Sequence, residues 1–214
     1  MKVLVTGGCG YIGSHTIVDL INTGFEVISI DNLVNSTEDS LLGIEKITGK
    51  KIKNYRIDLC DSDKVNAVFE QNSDLIGIIH FAALKSVGES VYQPLMYFDN
   101  NLNSLLNILR CAKDYKVPNF IFSSSCSVYG NAEELPVTES TPWQEAESPY
   151  ARTKQMGEHI IRDFTNINKD NKAVLLRYFN PAGAHKTAFI GEAPSNKANN
   201  LVPVITETAI GKRE

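Results

Sequence analysis

The 214 residues are 43% hydrophobic and 21% charged, with a formal net charge of −4. This is enough chain for one well-buried core, and the balance excludes the basic surface of a nucleic-acid binder. Lys50, Lys51 and Lys53 read as a solvated loop, the first apolar run is broken by glycine too soon for a secretory signal, and no stretch approaches membrane-spanning length. The four cysteines (Cys9, Cys60, Cys111, Cys126) lack Cys-x-x-Cys spacing and the four histidines form no ligand-spaced cluster with them, so neither a disulfide framework nor a metal site is expected and a reducing, cytoplasmic setting fits.

The first element is an apolar run, Val3-Leu4-Val5, that passes into Thr6-Gly7-Gly8-Cys9-Gly10-Tyr11-Ile12-Gly13 and then into a helical pattern over residues 11–23. In a strand–turn–helix unit, Gly7 can turn out of the strand, Gly10 can let a phosphate approach the backbone, and Gly13 can let the helix pack on the strand. A pyrophosphate would rest on the free N–H groups at the helix start. Alone, such a triplet is equally a plain tight turn. A second β-type run, residues 27–30, ends in Asp31, at the distance where dinucleotide-binding folds place a ribose-binding acid. Its carboxylate would accept from both adenosine ribose hydroxyls and repel a 2′-phosphate, so NAD is expected over NADP.

Further β-branched runs at 52–57, 76–81, 120–122 and 174–176 alternate with helical patterns at 62–71, 97–115 and 149–166; the pattern over 34–47 is weaker. The alternation argues for a parallel sheet wound on both faces, with the carboxyl ends of its strands along one ligand-binding rim. Asp31-Asn32, Asp58-Leu59, Phe81-Ala82-Ala83-Leu84-Lys85, Ser123-Ser124-Ser125 and Tyr178-Phe179-Asn180 fall on that rim. After Pro181, Gly, Ala, Pro and Asn become dense and periodicity fades until 201–210. With no obvious closing element before Glu214, the sequence reads as a fragment.

The segment Ser148-Pro149-Tyr150-Ala151-Arg152-Thr153-Lys154 opens a helix, with Ser148 as N-cap and Pro149 at its first position. Tyr150 and Lys154 share a face. An ammonium beside a phenol favours the phenolate, so the tyrosine pKa is expected below its usual ~10, making it a usable base. By itself such a pair is more often a surface tyrosine with a solvated lysine.

Together the glycine pattern, the serine run and the Tyr150/Lys154 pair resemble the extended short-chain dehydrogenase/reductases, and specifically their NAD-dependent epimerase/dehydratase family. The likeness covers essentially the whole chain. It runs through Asp31-Asn32-Leu33, the string from His80 to Ser90, Asp99-Asn100-Asn101, Phe122-Ser123-Ser124-Ser125, Arg177-Tyr178-Phe179-Asn180-Pro181 and Asn199-Asn200-Leu201. It implies an α/β, Rossmann-like, doubly wound sheet of order 3-2-1-4-5-6, with residues 1–180 forming the dinucleotide-binding, catalytic unit. Residues 181–214 would be only the beginning of a small C-terminal substrate lobe.

Carried over position by position, the resemblance makes Tyr150 the acceptor of the proton from a sugar 4-hydroxyl, Lys154 its activator and a ribose ligand, and Ser125 the partner of the same hydroxyl. It implies NAD contacts from Gly7, Gly10, Tyr11, Ile12, Gly13, Asp31, Asn32, Asn35, Ser36, Asp58, Leu59, Phe81, Ala82, Lys85, Asn100, Ser123, Tyr150, Lys154 and Tyr178. Asn180 and Asn200, with Ser125 and Tyr150, would hold the substrate. Structural roles stay open for some of these: Asn35 and Ser36 as loop formers, Asn100 as a helix cap, Tyr178 as a strand residue, Phe81 as core.

The implied chemistry is interconversion of UDP-galactose and UDP-glucose through a 4-keto sugar, with NAD kept bound, in a protein that is a homodimer at full length. Ala83 stands where the family frequently has glycine and Cys126 where it has alanine. Cys126 could touch substrate or be a buried structural thiol. Related 4,6-dehydratases and decarboxylases place an acid after the catalytic hydroxyl, whereas here Ser125 is followed by Cys126-Ser127-Val128. A non-catalytic NAD-binding module would be expected to lack the tyrosine–lysine pair.

Overall fold

The computed structural model describes residues 1–193 and 200–213; Asn199 lies outside the described residues. Six strands form one sheet: β1 (Lys2–Thr6), β2 (Glu26–Ile30), β3 (Lys53–Tyr55), β4 (Leu75–His80), β5 (Asn119–Ser125) and β6 (Lys172–Tyr178). Their order is 3-2-1-4-5-6 and every neighbouring pair is parallel, as the alternating pattern and the resemblance implied. Between them lie α1 (Tyr11–Asn22), α2 (Asp39–Thr48), α3 (Ser62–Glu70), α4 (Val87–Tyr92), α5 (Pro94–Asp114) and α6 (Pro149–Ile167), with α7 (Leu201–Ala209) following.

Side-chain alternation along the strands divides the core. Val3, Val5, Val27 and Ile79 meet Ile17, Val18 and Ile44 of α1 and α2, while Leu4, Ile28, Ile78, Phe120 and Phe122 meet Phe69, Leu105, Ile108 and Ile161 of α3, α5 and α6. Both faces of β1 are therefore dry, which is why its sequence is continuously apolar. On the outer strand β6, Val174 and Leu176 remain exposed, and so do Leu201, Ile205 and Ile210 around α7.

Local polar chemistry sets the boundaries where the elements differ from the sequence expectation. The weak pattern over 34–47 becomes a helix only from Asp39. Before it, the Asp31 and Asn32 side chains accept the backbone N–H groups of Leu33 (2.9 Å) and Val34 (3.2 Å), a local bonding pattern that competes with a helical turn. The edge strand β3 is shorter than 52–57 because the chain folds at Tyr55, whose carbonyl accepts from Ile57 N at 3.0 Å. The pattern at 97–115 starts earlier, at Pro94, which suits a first helical turn, and α4, capped by Ser86, was not expected at all.

At the end of the sheet that carries β5 and β6, a buried ionic cluster joins four elements. Glu158 of α6 is wholly buried; Arg177 of β6 grips it with Nε to Oε1 and Nη2 to Oε2, both at 2.9 Å. Ser124 of β5 donates to Oε1 at 2.6 Å, and Arg162 reaches Oε2 at 3.1 Å. Arg177 also donates to the Tyr129 hydroxyl at 2.9 Å and stacks over the Tyr129 and Trp143 rings. The carboxylate is saturated with donors, the condition under which a buried charge is tolerated. Glu158→Ala should leave Arg177 without its partner and lower the unfolding free energy by about 3–5 kcal/mol. Urea denaturation checks this, and a loss under about 1 kcal/mol would mean that the cluster is not a structural joint.

Candidate active site

The cleft begins at the turn after β1. Gly7 adopts φ +69 and lies so close to the end of β4 that a Cβ on it would be 2.9 Å from Ala82 N. A Cβ on Gly13 would run into the Gly7 carbonyl, so the start of α1 packs directly on the turn. Gly10 is the N-cap and supplies no side-chain acceptor, which leaves the first-turn N–H groups of Tyr11, Ile12 and Gly13 without a partner inside the helix. The arrangement is an anion cradle.

Asp31, at the end of β2, faces this cradle and is almost buried. Its Oδ2 accepts from Cys9 N at 3.0 Å; its Oδ1 accepts from Leu33 N at 2.9 Å and Ser36 Oγ at 2.8 Å. Three donors hold the carboxylate in place, and a carboxylate can accept about four. Ser36 thus acts first as a support for Asp31.

The facing wall follows β4. Phe81 N and Ala82 N donate to the carbonyl and hydroxyl of Thr6, at 3.1 and 3.3 Å. The Thr6 hydroxyl also bonds His80 Nδ1 at 2.8 Å, and burial pushes the His80 pKa down to about 3, so this imidazole is a neutral core group. Beyond it, Asn101 of α5 pairs with Leu84 as a strand would, accepting from its N–H at 2.8 Å and donating to its carbonyl at 3.0 Å. The Tyr97 hydroxyl accepts from Ser86 N at 3.0 Å and donates to Glu89 at 2.7 Å. The segment carrying Ala82, Ala83 and the exposed Lys85 is therefore clamped by α5.

Ser125, Tyr150 and Lys154 meet at the rim. Ser148 caps α6 by accepting from Ala151 N at 3.1 Å, as its sequence implied. Ser125 Oγ accepts from Ser127 N (3.2 Å) and Ser127 Oγ (3.0 Å). That occupies its lone pairs and leaves its own hydrogen as the one thing it can offer, with the Tyr150 phenol as neighbour. Lys154 is buried, with Nζ donating to the Ser123 carbonyl at 2.7 Å and standing 5.8 Å from the Tyr150 ring centre.

The expected depression of the Tyr150 pKa is not found. Burial raises it, and the hydrogen bond from Ser125 offsets that only in part. Burial also lowers Lys154, to about 8. Four-residue spacing reports the neighbouring charge but not desolvation, which acts on both groups against their charged forms.

The remaining expected contacts are scattered along the same rim. Phe81 is half-buried, with its ring 6.4 Å from that of Tyr178 at the end of β6. Asn32 and Asp58 use side-chain oxygens on Val34 N and Cys60 N, and Leu59 is buried with its carbonyl accepting from Asn107 at 2.9 Å. Asn35 is exposed on its loop. Asn100 lies inside α5 and bonds Asn101 at 2.9 Å, so the helix-cap alternative is corrected. Cys126 is half-buried at the start of the 3₁₀ turn Cys126–Tyr129. Asn180 is exposed beyond β6, and Asn200 precedes α7 and bonds Glu192. Among the described residues no hydrogen bond joins either asparagine to Ser125, Tyr150 or Lys154, and no cluster suits a metal.

Thr6, His80, Asn101 and Glu158 were missed by sequence reasoning. Glu158 had a signal, since it continues the four-residue steps of Tyr150 and Lys154 along one face of α6.

Residues 3–210 match the NAD dependent epimerase/dehydratase family. The chain belongs to that family. Its relatives include UDP-glucose 4-epimerases of Schizosaccharomyces pombe, 48% identical over 98% of this chain and 60% of that protein, and of Bacillus subtilis, 46% identical over 100% of this chain and 62% of that protein. Among solved structures, the UDP-glucose 4-epimerase of Bifidobacterium longum in complex with NAD+ and UDP superposes with a TM-score of 0.97 at 45% identity, covering 100% of this chain and 64% of that one. The chain thus spans about three fifths of the length of these family members.

The buried ammonium has a measurable cost. Between pH 8 and 10.5 the unfolded chain carries the Lys154 proton and the folded chain does not, so this group makes stability rise with pH across that window; its full penalty is present below pH 8. In Lys154→Met the rise should vanish. Unfolding free energies at pH 7.5 and 9.5 test this: wild type should gain on the variant at the higher pH, and a constant difference would show that Lys154 titrates at its ordinary value.

Proposed function

We propose that the complete protein is an NAD-dependent UDP-hexose 4-epimerase interconverting UDP-galactose and UDP-glucose. In this reading residues 1–180 bind the dinucleotide and carry the chemistry, and 181–214 begin the substrate region. The observation that carries it is the meeting of Ser125, Tyr150 and Lys154 beside the glycine cradle, with Cys126-Ser127-Val128, and no acid, following Ser125. The NAD+ and UDP of the Bifidobacterium longum structure, at 45% identity, support it.

NAD fits the residues present. The cradle has no Cβ in the way at Gly7, its N–H groups suit a pyrophosphate, and Asp31 is a fixed acceptor with one position left for a ribose hydroxyl. When bound, NAD supplies hydride acceptance and return at sugar C4. The chain's residues manage the proton. Tyr150 takes it from O4 as the alcohol becomes a ketone and returns it to O4 of the other epimer, so no net redox change occurs. Ser125, with both lone pairs occupied, can only donate, and its one hydrogen would turn from Tyr150 to that oxygen when the sugar is bound. Lys154 supplies positive charge beneath the phenol; with Tyr150 raised by burial, the base forms only when the filled cleft adds stabilisation of the phenolate.

Remote binding energy positions the reacting carbon. Since the chain covers 60% to 64% of its relatives, it is expected to bind NAD well and UDP-hexose weakly, and to turn over slowly. A homodimer and a cytoplasmic location belong to the same proposal; among the described residues no helix is long and apolar enough to cross a membrane.

Two measurements test this reading. Calorimetric titration should give NADP an affinity roughly tenfold or more below that of NAD, because Asp31 would face the 2′-phosphate, and Asp31→Ala should narrow the gap. Equal affinities in the wild type would remove Asp31 as the selector. Prolonged incubation with UDP-galactose and NAD should yield UDP-glucose. Tyr150→Phe should lower that rate by on the order of 10²- to 10⁴-fold with NAD still bound. Wild-type turnover in the variant would exclude Tyr150 as the base.

A further inference from the structure

Tyr11 does more than lend a backbone N–H to the cradle. Its hydroxyl donates to the carbonyl of Gly183 at 2.6 Å. Gly183 follows β6, and β5 and β4 lie between β6 and β1, so the chain beyond Tyr178 crosses the carboxyl rim to reach the start of α1. It continues as a strap over residues 183–190, closed on itself by His185 N to the Ile190 carbonyl (3.0 Å) and Ala188 N to the His185 carbonyl (2.8 Å).

The strap's far end is seated on α2. Ile190 is buried among Val3, Ile17 and Ile44, and the Phe189 ring lies 5.2 Å from Lys46 Nζ. The seat requires a glycine: a Cβ on Gly43 would run into the Phe189 carbonyl oxygen and stand 2.6 Å from Ile190 Cγ2. Asn180 precedes the strap, and Glu192, which holds Asn200, follows it.

We infer that Tyr11 is a positioning residue whose hydroxyl latches the chain where it has crossed the rim, between Tyr178 and the 183–190 strap, so that a bound dinucleotide leaves only when this chain lifts from α1 and α2. This rests on the dinucleotide reading above. The same residue then serves the anion cradle with its N–H and the closure with its side chain, and strap opening displaces Asn180 and, through Glu192, Asn200 as well. Dinucleotide retention and the seating of the substrate segment are thereby linked through one phenol.

Tyr11→Phe removes the hydroxyl and keeps the ring, which stands edge-on to His15 at 5.1 Å. Gly43→Ala wedges the other seat without touching the hydroxyl. Two readouts are needed. One is NADH release, followed by fluorescence after a chase with excess NAD. The other, independent of any cofactor, is tryptic cleavage at the exposed Lys186 in the strap. Each variant should release NADH and be cut at Lys186 about five- to tenfold faster than wild type, which for Tyr11→Phe is the scale of one lost hydrogen bond. Wild-type rates of both processes in both variants would overturn the latch, and so would faster release without faster cleavage. If the wild type binds no NADH, the dinucleotide reading fails, and cleavage at Lys186 alone decides whether Tyr11 holds the strap.

Discussion

A buried charge placed where α6, β5 and β6 converge constrains the end of the molecule that carries the candidate site. Glu158 cannot leave the interior, and its two oxygens are divided among Arg177, Ser124 and Arg162. Breaking any one of these bonds exposes part of a carboxylate to a dry environment, so β5, β6 and α6 are held in one relative placement. Ser125 is one residue beyond Ser124, Tyr178 one beyond Arg177, and Lys154 one helical turn before Glu158. The candidate groups Ser125 and Lys154 are therefore each a short covalent step from the joint, and Tyr150 rides on the same helix two turns before Glu158. That is the arrangement needed to hold a hydroxyl, a phenol and an ammonium within productive geometry.

The price of that precision is desolvation. Lys154 and Tyr150 are both shifted toward their neutral forms by burial, the first down to about 8 and the second upward. A site that contained a ready phenolate would be reactive while empty. Here burial holds the phenol in its neutral form and weakens the hold of Lys154 on its proton, so the charge in the empty cleft near neutral pH is that of the ammonium alone.

Neutral polar groups shape the facing wall. Thr6 and His80 join β1 to β4 under the cradle, and Asn101 takes the place of a neighbouring strand for Leu84, so the loop after β4 is as fixed as the strand itself. These contacts carry no charge and make no sequence motif. They satisfy backbone groups that would otherwise be stranded near an apolar core, and this is what lets an irregular segment form one wall of a cleft.

The sequence alone determined the parallel, doubly wound architecture, because strand and helix periods and the residues that stop them are local. The glycine turn, Asp31 and the Tyr150/Lys154 pair were legible for the same reason: each belongs to a short string whose spacing reports its own geometry, whereas Ser125 was singled out only by the family resemblance. Only tertiary structure decided what depends on burial and on partners far along the chain. The direction of the Tyr150 and Lys154 shifts, the Glu158–Arg177 joint nineteen positions apart, the Asn101 clamp and the seating of residue 190 on Gly43 are of this kind. A spacing rule sees neither the loss of water around a group nor which distant side chain arrives to replace it, and those two quantities set the electrostatics of this cleft.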